Sequence, residues 1–140
     1  MNAALRCYVA APYLDGTLVR EQVHPRLAAL GIEPTSSWCA DAIGAEDFAA
    51  YGVGQLRAIA ATNDADLARA DVVLVIAREG AGGEMFAEAR LALVMRKPVV
   101  WTGRLILSAW RRGVVRVDSV AAALRVLARY ARRRRAGSAQ

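Results

Sequence analysis

The chain has 140 residues, enough for one domain with a substantial core and too few for two. Hydrophobic residues make up 56% of it, the mean hydropathy is +0.23 and the formal net charge is +6. This composition fits a sheet buried on both faces. No stretch approaches the roughly 20 consecutive apolar residues of a membrane helix, and the N-terminus lacks a charged region ahead of an apolar one. We therefore expect no membrane association, no signal peptide and a cytoplasmic protein.

The cysteine and histidine content gives no indication of a metal site or a cofactor. Cys7 and Cys39 are far apart, and His24 is the one histidine, so no metal-ligand spacing is present. We expect both cysteines to be reduced thiols that pack as small apolar side chains. His24 has no acid or nucleophile pattern nearby, so the sequence predicts no catalytic triad around it.

Strand and helix patterns alternate along the chain, which predicts a parallel sheet. The predicted strands are residues 5–11, 32–38, 71–77, 98–101 and 114–117. The predicted helices are residues 17–30, 55–70 and 83–96, with a last helix that begins after Ser119. The predicted fold is α/β, a three-layer sandwich with a five-stranded parallel sheet of Rossmann-like or flavodoxin-like type, over residues 1–131.

Local signals refine these boundaries. Gly31 is a good left-handed stop for the first helix, and Pro25 is expected to interrupt that helix. Pro34 weakens the second strand. The polar, glycine-spaced residues 41–54 contain aromatic side chains, which suggest a folded lid or a short helix. Ser119 is a predicted N-cap.

A glycine-rich turn follows the third predicted strand and opens the third predicted helix. Gly80, Gly82 and Gly83 permit positive φ and a close approach of the backbone to a phosphate or ribose. Glu84 lies in the first helical turn, where the helix dipole favours a carboxylate whatever its function. Glu88 lies one turn deeper, where capping does not explain it. Because ligands bind at the carboxyl ends of parallel strands, we predict sugar or nucleotide chemistry here with Glu88 as the reactive group.

The first strand and its loop add aromatic groups to this edge. Pro12 and Tyr13 close the strand, where Tyr13 is placed to stack on a base. Tyr8, inside the strand, is either a core aromatic or a hydrogen-bond donor to the carboxylate. In the second helix, Asn63, Asp64 and Asp66 are near the predicted site if that helix begins at its mouth. A structural role is favoured for Asp71 at the start of the third strand.

A basic C-terminal tail covers residues 132–140. Arg132 to Arg135 supply four of the six net charges, which leaves +2 for the rest of the chain. Such a run can neutralise phosphates, but no aromatic residue alternates with these arginines, so the stacking contribution to nucleic-acid binding is missing. We interpret the run as a solvated helix end and expect no nucleic-acid partner.

Three segments together resemble the nucleoside 2-deoxyribosyltransferase superfamily, which includes nucleoside 5′-monophosphate N-glycosidases. They are Cys7-Tyr-Val-Ala-Ala-Pro-Tyr13, Asp66-Leu-Ala-Arg-Ala-Asp-Val-Val-Leu-Val75 and Gly82-Gly-Glu-Met-Phe-Ala-Glu-Ala-Arg-Leu-Ala-Leu-Val-Met-Arg-Lys-Pro-Val99. Each segment is loosely similar to a family signature, and their order and spacing are more specific. The resemblance covers nearly all of the chain.

The resemblance implies roles for individual residues. Counting back from Lys97 places Glu88 at the family's nucleophile, Tyr8 at the tyrosine that orients it and Tyr13 at the aromatic that stacks the base. The glycine turn would bind the sugar or phosphate. Asn63 stands where the family has an aspartate that helps protonate the leaving base, with Asp64 beside it as a substitute.

The sequence departs from the family pattern at two further positions where the family has glycine. Arg90 stands two residues after the nucleophile, and Arg96 stands before the lysine. Arg90 would alter helix packing or donate to a phosphate, and arginines near the mouth favour a phosphorylated substrate.

The implied activity is cleavage or transfer of the N-glycosidic bond of a nucleoside or its 5′-monophosphate through a covalent glycosyl-Glu88 intermediate, without a cofactor. The resemblance also implies a homodimer or higher homo-oligomer in which partner chains complete the site. One alternative is a nucleotide-binding or sensing module without catalysis. A phosphoribohydrolase of the lysine-decarboxylase-like type is a second enzymatic alternative, but its paired glycine-threonine signature is absent.

Overall fold

The computed structural model describes residues 3–40, 50–79 and 83–139. Five parallel strands form one sheet in the order β2-β1-β3-β4-β5. The strands are β1 Leu5–Ala10, β2 Ile32–Pro34, β3 Val72–Ala77, β4 Val99–Gly103 and β5 Val114–Val117. Strands β1, β3 and β4 consist almost entirely of buried apolar residues, as expected for a sheet covered on both faces.

Helices cover both faces of the sheet. They are α1 Gly16–Leu18, α2 His24–Ala29, α3 Val53–Arg69, α4 Gly83–Val94 and α5 Val120–Gly137. Helices α2 and α5 line a common groove on one face, while α3 and α4 pack against each other on the other face. The predicted α/β three-layer sandwich is therefore confirmed, with the strand order of flavodoxin-like folds. Within the described residues, no helix has the length and apolar character to cross a membrane.

The first helical region is continuous but irregular. A π-helical turn, Val19–Val23, joins α1 to α2, and the backbone N–H of His24 bonds to the carbonyl of Val19. The next residue, Pro25, has no N–H to donate, so a regular helix cannot pass through this point unchanged. The helix is therefore irregular ahead of Pro25 but is not interrupted there as predicted, whereas the predicted stop at Gly31, with φ of +72°, is confirmed.

Several predicted boundaries were wrong by one or two residues, and the end of the second strand was wrong by four. Strand β2 ends at Pro34 rather than at residue 38, because the next backbone groups of β1 bond to side chains: Val9 N donates to Ser36 Oγ and Val9 O accepts from Trp38 Nε1. Residues 38–40 instead form a 3-10 turn, Trp38–Ala40. Helix α4 ends at Val94 rather than at residue 96, because Arg96 adopts a left-handed conformation with φ of +59°. The predicted lid or short helix over residues 41–54 lies largely outside the described residues, and α3 begins at Val53.

The amino-terminal edge of the sheet is held by charges around Asp71. Its carboxylate accepts hydrogen bonds from the backbone N–H of Arg6 at 2.9 Å and from the Arg6 guanidinium at 3.1 and 3.2 Å. Arg134 Nη1 lies 3.0 Å from Asp71 Oδ2. The predicted boundary between the domain and the basic tail, at residue 131, thus falls inside α5, and the last turns of this helix contact the sheet.

At the same edge, Lys97 Nζ donates to the carbonyls of Ala68 and Ala70. The last turn of α3 is thereby tied to the residue that precedes β4. Ser119 caps α5 as predicted, accepting a hydrogen bond from Ala122 N at 3.1 Å.

Candidate active site

The candidate site lies where the strand order of the sheet reverses, between β1 and β3. The chain leaves these neighbouring strands in opposite directions, so their loops diverge and open a crevice at the carboxyl edge. Pro12 and Tyr13 follow β1, and α4 follows β3. Gly103, at the end of β4, keeps the neighbouring loop compact: its φ is +92°, and a Cβ there would lie 1.8 Å from the carbonyl oxygen of Ala77.

Tyr8 and Glu88 form a buried hydrogen-bonded pair beneath this crevice. The Tyr8 hydroxyl donates to Glu88 Oε1 at 2.7 Å, and the two residues are 0% and 7% exposed. Tyr8 stands on β1 with its neighbours fully buried, and Glu88 occupies the second turn of α4. The sequence left open whether Tyr8 is a core aromatic or a partner of Glu88, and the structure shows that it is both.

Burial raises the pKa of Glu88 to about 7, although the hydrogen bond from Tyr8 lowers it, and the charges of Glu84 and Asp64 raise it further. Burial and the neighbouring Glu88 carboxylate also raise the pKa of Tyr8, which keeps the phenol protonated as a donor. A carboxyl group with a pKa near 7 changes its charge in the neutral range. Such shifts are typical of groups that take part in catalysis.

Tyr13 and Asn63 stand together at the mouth of the site. Asn63 Nδ2 donates to the Tyr13 hydroxyl at 2.8 Å, and the Tyr13 ring meets the Trp38 ring edge to face with centroids 5.3 Å apart. Asn63 is only 3% exposed, so its amide is a buried group of the site and not a surface group. Burial is the main cause that raises the pKa of Tyr13, and the charges of Glu88 and Glu84 raise it further. Tyr13 therefore lies near both carboxylates.

Two adjoining cavities meet at this Tyr13–Asn63 contact. One, of about 240 Å³, is lined by Tyr13, Ser37, Trp38, Ala58, Ile59, Thr62 and Asn63. The other, of about 410 Å³, is lined by Tyr13, Leu56, Ile59, Ala60, Asn63, Gly83 and Glu84. Both are mainly apolar with a few polar groups, as is usual in small-molecule sites. No lysine or arginine lines either cavity among the described residues.

The structure brings most of the predicted site residues together. Glu88 and Tyr8 form one hydrogen-bonded pair, and Tyr13 and Asn63 form a second pair, in which Tyr13 feels the charge of Glu88. Gly83 and Glu84 line the second cavity, Pro12 is buried at the start of the loop after β1, and neither Tyr8 nor Glu88 is a lining residue of the two cavities. Asp64 is exposed on α3 and acts on Glu88 only through its charge. Gly80 and Gly82 lie outside the described residues.

One side of the first cavity was not predicted from the sequence. Ser37 and Trp38 come from the segment after β2, and Thr62 and Ile59 come from α3. Asp66, buried on α3, fixes that segment: its carboxylate accepts from Ser37 N at 3.0 Å and from Ser37 Oγ at 2.5 Å. The available signal was positional, because Ser37 and Trp38 follow a strand adjacent to β1.

Metal-binding groups do not gather in the described residues: no cluster of three or more His, Cys, Asp or Glu side chains could hold an ion. Cys7 and Cys39 are free, buried thiols, as predicted, and burial raises the pKa of both. His24 bonds through Nε2 to Ser36 Oγ at 2.9 Å, away from Glu88.

A scan against protein-family models finds no match for this chain, and a search of curated proteins finds no significant similarity. Fold and site together define an α/β domain with a parallel five-stranded sheet. A buried, hydrogen-bonded tyrosine–glutamate pair lies at the switch point of that sheet.

Proposed function

We propose that this protein cleaves or transfers the N-glycosidic bond of a nucleoside or nucleoside 5′-monophosphate, with Glu88 as the nucleophile. The observation that carries the proposal is the buried hydrogen bond between Tyr8 and Glu88 at the switch point of the sheet. The three sequence segments that resemble the nucleoside 2-deoxyribosyltransferase superfamily support the same assignment.

In the proposed reaction, ionised Glu88 attacks C1′ of the sugar. The C1′–N bond breaks with its electron pair going to the base, which takes up a proton from water, and an ester forms between C1′ and Glu88. Water or a second base then displaces the ester oxygen, which gives net retention of configuration. Tyr8 donates to Oε1 throughout and leaves Oε2 as the attacking atom.

The charge around the site suits this chemistry. Cleavage of a glycosidic bond passes through a transition state in which the sugar carries positive charge. Glu84 and Asp64 both act electrostatically on Glu88, so the reacting carbon would lie in negative potential. Preorganised negative charge stabilises a developing cation without further rearrangement.

The aromatic cavity would hold the base. Tyr13 and Trp38 supply flat apolar surface, and Ser37, Thr62 and Asn63 supply hydrogen-bonding groups beside it. The sugar would extend towards Gly83 and Glu84 in the second cavity. We also propose that the protein is cytoplasmic, that it is a homo-oligomer and that catalysis needs no cofactor or metal.

The test is to incubate the protein with ribo- and deoxyribonucleosides and their 5′-monophosphates and to measure free base by chromatography. Glu88→Ala should abolish base release, whereas Glu84→Ala, which removes a charge beside the sugar but not the nucleophile, should lower base release less. Equal loss in both variants, or release that survives Glu88→Ala, would contradict the role of Glu88.

A binding or sensing module without catalysis is the second candidate, and Asn63 favours it. An amide cannot supply the proton that the leaving base needs, and Asn63 is already committed to Tyr13 at 2.8 Å. A binder would hold nucleotide without releasing base, and Glu88→Ala would leave its affinity nearly unchanged in calorimetry. Base release that appears only in Asn63→Asp would identify Asn63 as the reason for inactivity.

A further inference from the structure

The charges of this protein are divided unevenly along the chain. Residues 1–88 contain six arginines against twelve acidic residues, whereas residues 89–140 contain thirteen lysines and arginines against one aspartate. The net charge of +6 therefore hides an acidic first part, which carries Glu88, and a strongly basic second part. Asymmetry of this kind between two parts of a chain is typical of proteins that contact a polyanion.

Much of the basic part is concentrated on α5. This helix carries six arginines and no acidic residue. Arg134 turns towards the sheet and is neutralised by Asp71. Arg125, Arg129, Arg132 and Arg133 are exposed, and their spacing of i, i+4, i+7 and i+8 places them on one face of the helix. We call these four residues the arginine face.

The arginine face extends onto a neighbouring helix. A groove of about 390 Å³ between α2 and α5 is lined by alanines and leucines, with Arg26 and Arg125 among its lining residues. Arg26 is exposed as well. Basic groups thus occupy both α2 and α5 on the face opposite α3 and α4. The sequence-based expectation of no nucleic-acid partner considered only residues 132–135. Arg125, Arg129 and Arg26 join that run only through the helical register and the packing of α2 against α5.

We propose that the arginine face binds the phosphate backbone of double-stranded nucleic acid without reading its sequence, whether or not the proposed activity holds. Guanidinium groups are suited to phosphate oxygens, and successive arginines rise along the helix by about 6 Å per four residues. A duplex presents about one negative charge per 1.7 Å of its axis, so several arginines can each meet a phosphate.

The structure favours this partner over two others. A membrane-surface helix inserts an apolar side, but the apolar residues of α5, such as Leu124 and Leu127, are buried against the rest of the domain. A single strand is held largely by stacking on aromatic side chains, and the one aromatic residue of α5, Tyr130, is half-buried against the core.

The test measures binding of the whole protein to a fluorescent 20-base-pair DNA duplex at 50 to 200 mM salt. Four neutralised phosphates predict a slope of log Kobs against log salt of about −3 to −4, which is a loss of about 100-fold over this range. The quadruple substitution Arg125→Gln, Arg129→Gln, Arg132→Gln and Arg133→Gln should bring the slope close to zero. The matching four Arg→Lys changes should keep the slope within about one unit.

A control variant removes the same charge elsewhere. Arg57, Arg90, Arg111 and Arg112 are all exposed and lie outside α5. Changing these four to Gln should leave most of the affinity. Equal loss in both Gln variants would contradict the proposal, because net charge would then explain the binding. Tighter binding to a single strand, to polyglutamate or to anionic vesicles than to the duplex would overturn the assignment of the partner.

Discussion

Two carboxylates at opposite edges of the same sheet differ in what surrounds them. Glu88, beneath the carboxyl edge, accepts a hydrogen bond from the neutral phenol of Tyr8, and burial raises its pKa to about 7. Asp71, at the amino edge, is also partly buried, but hydrogen bonds from Arg6 and Arg134 outweigh burial and lower its pKa. Each carboxylate is built into the fold by long-range contacts. The comparison shows that the depth of burial and the charge of the partner together set the pKa: deep burial beside a neutral phenol raises it, whereas shallower burial beside two guanidinium groups lowers it.

The largest predicted effect is on catalytic activity. Glu88→Gln removes the attacking oxygen but keeps the shape of the side chain, so base release should fall by about 10³-fold or more. Asp71→Asn should leave kcat within about twofold, because Asp71 lies at the other edge of the sheet. Steady-state assays of both variants check this difference, and comparable losses would show that the two edges are not independent.

Tyr8→Phe should have the next largest effect. Without the phenol, Glu88 loses the hydrogen bond that stabilises its charged form, and its pKa rises above the value of about 7. We expect activity at pH 7 to fall by about 10- to 100-fold and the rise of activity with pH to shift upward. Tyr130→Phe on α5 is a matched control for the loss of a phenol. An unshifted pH profile in Tyr8→Phe would contradict the prediction, because it would show that Tyr8 does not influence the pKa of Glu88.

The two carboxylates should also affect stability with opposite pH dependence. The folded-state pKa of Glu88 lies above its ordinary value of 4.5, so the stability of the wild-type protein falls as pH rises from about 4.5 to 7. Glu88→Gln removes this loss and should stabilise the protein above pH 7 by up to about 3 kcal/mol.

Asp71 has a lowered pKa, so its contribution is present above its ordinary value of 3.8 and is lost as pH falls through the folded-state pKa. Asp71→Asn should cost about 1 to 2 kcal/mol at pH 7, and the difference should shrink below about pH 4. Urea unfolding at several pH values checks both variants. A stabilising Asp71→Asn or a destabilising Glu88→Gln at pH 8 would reverse the comparison.

Lys97→Met should have the smallest effect. The ammonium of Lys97 donates to the carbonyls of Ala68 and Ala70 at the amino edge, and its stem is only half-buried. We expect a loss of about 1 kcal/mol in the free energy of unfolding and unchanged base release. Lys97→Arg would retain the charge and serve as the control. A large loss of activity with normal stability would give Lys97 a role in the site.

The architecture could be predicted from the sequence because its signals are local. Buried apolar runs defined β1, β3 and β4, and glycine or proline marked where helices and strands stop. Arg96 is instructive, because it has φ of +59° at the position where the resemblance places glycine. The backbone conformation at that position is thus the one that glycine favours, although the side chain differs.

The site could be predicted only in part because its contacts are long-range. Spacing within one helix identified Glu88, but its partner Tyr8 is 80 residues away, and the sequence offered the bond between them only as one of two alternatives for Tyr8. Ser37 and Trp38 were missed because no pattern in their own segment marks them, and Asp66 fixes them from α3. The role of Asp71 likewise depends on Arg134, which reaches it only through the packing of α5.

The most direct test of the contrast between Glu88 and Asp71 is a carbon-13 NMR titration of the side-chain carboxyl groups, with Glu88→Gln used to assign the signal of Glu88. We predict that one glutamate titrates near pH 7, that its signal is absent in Glu88→Gln, and that its midpoint moves upward in Tyr8→Phe. A Glu88 signal that titrates below about pH 5, as an ordinary glutamate does, would contradict the account.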